Sequence, residues 1–83
     1  SINVFNRDLT LGSTGADVRS LQVWLNAHGY LVAAAGKPGS PGNETDLFGS
    51  ATQAAIMSLQ RDNDIKPAAG YFGPLTRAYV NNH

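Results

Sequence analysis

The stretch "LFGSATQAAI", Leu47–Ile56, returns as "YFGPLTRAYV" at Tyr71–Val80, with Phe, Gly, Thr and Ala at the same four offsets. The second copy explains the first. Proline is favoured at the first helical position, where its missing N–H costs nothing, so Pro74 after Gly73 predicts a helix that Gly73 caps. By alignment Gly49 caps the earlier copy and Ser50 opens its helix. Thr52, Ala55, Ile56 and Leu59 then share one face of the first helix, as Thr76, Tyr79 and Val80 do in the second. Phe48 and Phe72, just outside the caps, are placed to fold back as staples that fix the entry angle. Asn63 and Asp64 are expected to end the middle helix, which Pro67 cannot continue.

Upstream, "SLQ" occurs at Ser20–Gln22 and again at Ser58–Gln60. From Ala16 to His28 the apolar residues Val18, Leu21, Trp24 and Leu25 recur at helical spacing, with Asp17, Arg19, Ser20 and Asn26 elsewhere. Ser13, Thr14 or Gly15 can cap this helix, Asp17 suits its first turn, and Gly29 can supply the left-handed residue that ends it. Val23 and Met57 fall off the core arcs, as exposed apolar residues or the edge of a partner surface. Helices this short are marginal alone and must bury their stripes against one another. The expected fold is all-α, a small orthogonal three-helix bundle with an internal helix-turn repeat. Residues 1–8 read as a lead-in and 9–83 as the domain. Ala33–Asp46 holds prolines and glycines at a density no helix or central strand tolerates, and is expected to be an exposed loop, a surface insertion or a binding element. Its Asn43–Thr45 triplet matches the glycosylation sequon, a short pattern of low specificity.

Composition narrows the function. Six basic and six acidic residues give a formal net charge of zero, and their scatter provides no field to hold a polyanion or an anionic membrane. Nucleic acid and membrane are therefore not expected partners. No apolar run approaches the roughly 20 residues that cross a bilayer, and a start at Ser rather than Met suggests a piece excised from a longer chain. The absence of cysteine removes disulfides, thiol nucleophiles and Cys-type zinc sites. His28, at a helix end with no second ligand or orienting carboxylate at useful spacing, reads as structural, and no metalloprotease, P-loop or nucleophile-elbow motif is present. The expectation is no catalytic residue, no metal, no cofactor and no enzyme activity.

"LGSTGADVRSLQVWLNAHGYL" resembles the opening of the peptidoglycan-binding-like domain family, a Gly-flanked turn before a V-x-x-L-Q-x-x-L helix ending in Gly-Tyr. "DLFGSATQAAIMSLQRDNDI" and "AAGYFGPLTRAYV" are similar to the rest of the pattern: an FG-x-x-T turn, a helix with a second Leu-Gln, a connector, and another FG-x-x-T turn into the last helix. The match runs from Leu9 to Asn81. Where the family shows Asp-Gly before x-F-G, this chain has Thr45-Asp46 and Ala69-Gly70, and its loop after Tyr30 is longer. The resemblance implies a non-catalytic three-helix module, monomeric, that attaches a longer secreted or envelope protein, often a cell-wall hydrolase, to bacterial peptidoglycan.

For such a ligand, aromatic faces would stack on sugars and a guanidinium would pair with stem-peptide carboxylates. Trp24, Tyr30, Tyr71 and Arg77 are the candidates, with Gln22 and Gln60 as amide donors. Each has a structural alternative: core packing for Trp24, burial at turns for the tyrosines, a solvated charge for Arg77, and hydrogen bonds to nearby turn backbone for the glutamines. Two other functions compete. One is a protein–protein module docking a neighbouring catalytic or adhesion domain. The other is a propeptide-like folding domain, resembling matrix metalloprotease prodomains but lacking the cysteine of their inhibitory switch.

Overall fold

Gly73 does cap a helix that Pro74 opens. The computed structural model describes residues 5–83, so the first four residues of the lead-in lie outside it. Its helices are α1 (Ala16–Ala27), α2 (Ser50–Asp62) and α3 (Pro74–Asn81), capped at their starts by Gly15, Gly49 and Gly73. Among the described residues there is no strand, only two isolated antiparallel bridges, Leu9 with Phe72 and Thr14 with Leu47. The fold is all-α, with three helices. No described helix is long and apolar enough to cross a membrane.

The stripes read from periodicity face inward. Val18, Leu21 and Leu25 of α1 meet Ile56 and Leu59 of α2 and Val80 of α3 in one buried cluster. Phe48 and Phe72 are fully buried in it, one ahead of each repeated helix. Helix α1 ends through Gly29, whose φ of 87° is the left-handed conformation expected there. Helix α2 stops at Asn63, with Asp64 at positive φ. Off the arc, Val23 is exposed and Met57 half-buried.

Both repeated turns pair with one short upstream segment. Leu9 and Phe72 exchange backbone hydrogen bonds of 3.0 and 2.9 Å, while Gly12 N–H donates to Phe48 O and Phe48 N–H to Ser13 O, each at 2.9 Å. A segment without helical period thus ties the two copies together by satisfying their exposed backbone groups. The lead-in joins this body from Phe5 onward, rather than hanging from it. The Phe5 ring is 4% exposed and packs edge-on against Phe72 at 5.4 Å. Its N–H donates to Asn81 Oδ1 and its carbonyl accepts from Asn81 Nδ2.

Two residues on, Arg7 grips Asp17 through Nε at 2.6 Å and Nη2 at 2.9 Å, and also donates to Thr14 O. The hydrogen bond from Arg7 holds the Asp17 carboxyl below its ordinary range, and the same bond raises the Arg7 guanidinium. Because Asp17 is depressed in the folded chain, its contribution is complete above the unfolded carboxylate pKa of about 4. It is lost as the pH falls through the lower folded value. Asp17→Asn should therefore lower the melting temperature at pH 7, modestly because the pair is partly exposed, and leave it unchanged near pH 2. Thermal unfolding of both proteins at the two pH values checks this.

The loop expected to be exposed is only partly so. Val32, Gly39 and Ser40 are buried, and Asn26 reaches from α1 to donate Nδ2 to Gly39 O (3.0 Å) and Glu44 Oε2 (2.9 Å) while its Oδ1 accepts Val32 N–H. One polar side chain thereby stitches both ends of the loop to the helix.

Candidate functional site

Gln22 and Gln60 are each 1% exposed, and the structure uses their amides inside the fold. Gln60 Nε2 donates to Tyr71 O (2.8 Å) and Thr76 Oγ1 (3.0 Å), and its Oε1 accepts Gly70 N–H at 2.9 Å. Gln22 repeats the arrangement, donating to Leu47 O (2.9 Å) and Thr52 Oγ1 (3.0 Å) and accepting Thr45 N–H at 2.6 Å. Each Leu-Gln helix thus grips the F-G-x-x-T turn that follows it, because a turn folded onto a core must have its polar groups satisfied from inside. No amide hydrogen of this geometry points toward solvent for a ligand.

Trp24 is 7% exposed; its ring stacks on His28 at 3.8 Å and meets Tyr79 edge-on at 6.4 Å. His28 caps α1, its Nδ1 lying 2.8 Å from Trp24 O. Tyr30 is half-buried against the core with its hydroxyl near Asn63 Nδ2 (3.4 Å), and desolvation pushes its phenol pKa up. Trp24 presents little ring face on which a sugar could stack, and Tyr30 is covered only in part.

Tyr71 and Arg77 are different, and the structure brings them together. Tyr71 is 46% exposed. Its ring lies so close over Gly73 that a Cβ there would stand 2.7 Å from Cε2, so the glycine that caps α3 is also what lets the aromatic lie down. The Tyr71 hydroxyl donates to Asp8 Oδ2 at 2.6 Å, and Arg77 Nη2 contacts Asp8 Oδ1 at 3.0 Å. That bond to a carboxylate raises the Tyr71 phenol. Asp8 gave no periodicity or motif by which the sequence could single it out.

Beside this cluster lies an open groove of about 220 Å³, floored by Gln60 and Thr76 and walled by Tyr71, Leu75, Ile65 and Pro67. The surface it presents is mostly apolar. Leu75, at 67%, is among the most exposed large apolar residues. A second hollow of about 200 Å³ occupies the matching place in the first copy, with Gln22 and Thr52 below and Leu47 and Ala51 where Tyr71 and Leu75 stand. There the long loop closes in through Val32, Pro38 and Thr45. The same scaffold therefore yields a groove with an aromatic wall once and one walled by the loop once, both open to solvent. Among the described residues, no three His, Asp or Glu side chains converge as a metal-binding group.

No curated protein and no solved structure matches the chain in comparison. The family model described as "Putative peptidoglycan binding domain" matches residues 14–80, a span that takes in α1, α2, all but the last residue of α3, both F-G-x-x-T turns and both grooves, and the chain belongs to that family.

Proposed function

We propose that this chain is a non-catalytic attachment module that holds a longer secreted or envelope protein to bacterial peptidoglycan, with the ligand seated in the groove beside Tyr71. The observation that carries the reading is the family match across residues 14–80. The groove beside Tyr71 supports that seat. A polymer of sugars and short peptides offers flat apolar faces beside local carboxylates, and an exposed tyrosine among mostly apolar walls suits such faces. The neutral overall charge agrees with recognition by shape and local hydrogen bonds rather than by a long-range field.

Co-sedimentation with purified murein sacculi tests it. Wild type should pellet, Tyr71→Ala should bind about fivefold to tenfold more weakly as expected for loss of an aromatic anchor, and Leu31→Ala, which removes a more exposed apolar side chain elsewhere, should bind as wild type. Wild type left in the supernatant at low salt would end the proposal.

A further inference from the structure

Resting on the murein reading, we propose that Tyr71 and Arg77 form a receptor for a ligand's carboxylate, and that Asp8 is its built-in occupant. A hydroxyl and a guanidinium from either side of the α3 cap converge on the two oxygens of one carboxylate, Tyr71 Oη donating to Oδ2 at 2.6 Å and Arg77 Nη2 in an ion pair with Oδ1 at 3.0 Å. The receptor is only half used. Arg77 Nε is buried and has no hydrogen-bond partner among the described residues, whereas Arg7 in the same chain gives both Nε and Nη2 to Asp17. A guanidinium fork is best filled by two parallel bonds to one carboxylate, and Asp8, fixed by its neighbour Leu9 in the bridge to Phe72, meets it only through the ion pair at Nη2.

The ligand class follows from what surrounds the fork. Tyr71 belongs both to the receptor and to the groove wall, so a molecule with small apolar side chains between Tyr71 and Leu75 that reaches past the Tyr71 hydroxyl would bring its terminal carboxylate to Arg77. That describes a short murein stem peptide with a free C-terminal carboxylate. Asp8 is 38% exposed in its side chain, so the ligand can displace it without opening the core. Asp8 is then a competitor held on the same chain, which scales apparent affinity down to the fraction of time it leaves the site free.

The test uses N-acetyl-D-alanyl-D-alanine and its C-terminal amide, titrated into the full chain while the Arg77 Nε–H and Tyr71 signals are followed by NMR. Asp8→Ala should bind the free acid about fivefold tighter than wild type does, the scale of a partly exposed ion pair. The amide should bind more weakly than the acid to both proteins, and Arg77→Gln added to Asp8→Ala should abolish the preference. Equal binding of acid and amide, or no tightening on removal of Asp8, would overturn the inference. Asp8→Asn, which removes the charge but keeps the acceptor for Tyr71, carries the same comparison should the alanine variant fail to fold. Sacculus pelleting of the wild type reports separately on murein attachment: pelleting without acid selectivity sinks the receptor alone, and acid selectivity without pelleting sinks the attachment reading alone.

Discussion

Gln60→Leu should destabilise the domain by about 3 kcal/mol, because it strands several buried groups at once. The leucine fills a similar volume but cannot accept Gly70 N–H or donate to Tyr71 O and Thr76 Oγ1, which Gln60 now satisfies. Each buried polar group left unpaired costs about 1–3 kcal/mol, reduced where water or a hydroxyl rotation recovers a partner. Since a domain of this length is stable by only about 4–12 kcal/mol, the melting temperature should fall by roughly 12–20 °C. Gln60→Glu separates donor loss from packing. At pH 7 the buried carboxylate still accepts from Gly70 but faces the Tyr71 carbonyl and has no proton to donate. Acidification returns one donor, so this variant should regain stability as the pH falls while Gln60→Leu does not. Thermal melts of the three proteins at pH 7 and pH 4 decide it, and a loss below about 1 kcal/mol in Gln60→Leu would show that the amide is not holding the turn.

Phe72→Ala should cost more, about 4 kcal/mol, the usual range for emptying a buried aromatic site. The ring is fully buried and also supports Phe5 edge-on, a contact worth about 0.5–1.5 kcal/mol beyond its area. Its loss should loosen the first described residues before the helices. In hydrogen exchange, the Phe5 amide bonded to Asn81 should lose protection ahead of the α1 amides. Urea unfolding gives the total, and Phe72→Leu, which keeps most of the volume, should lose less than half as much. Equal losses for Ala and Leu would mean that the aromatic edge contact, rather than the filled space, is what the site needs.

The helices were legible because their information is local. Val18, Leu21 and Leu25 recur at a spacing that only a helix turns into a face, and Gly73-Pro74 marks a helix start by backbone chemistry alone. Phe48 and Phe72 could be assigned to architecture because they stand just outside two caps. Other features depend on partners far along the chain, and no local pattern encodes them. Nothing in "NVFNRDLT" announces that Phe5 will pack on Phe72 or that Leu9 will pair with it. The loop residues that Asn26 gathers looked like ordinary turn chemistry. The glutamines sat on the border of the helical arcs, where a ligand contact and a backbone clamp look alike from sequence; the turn that folds over each of them is what distinguishes the two. Tyr71 and Arg77 were recognisable as side-chain types suited to murein, but the residue that joins them, Asp8, lies 63 positions from Tyr71 in sequence.

The pairing of Phe5 with Asn81 spans 76 residues, so the described residues between them come close to closing a ring. Splicing these neighbouring positions by a short linker would ask little rearrangement of the native molecule. It would deny the denatured chain much of its freedom, since the entropy of bringing distant ends together grows with the length enclosed. Cyclisation is therefore a route to a more heat-resistant form that leaves the Tyr71 groove and its glutamine floor unaltered.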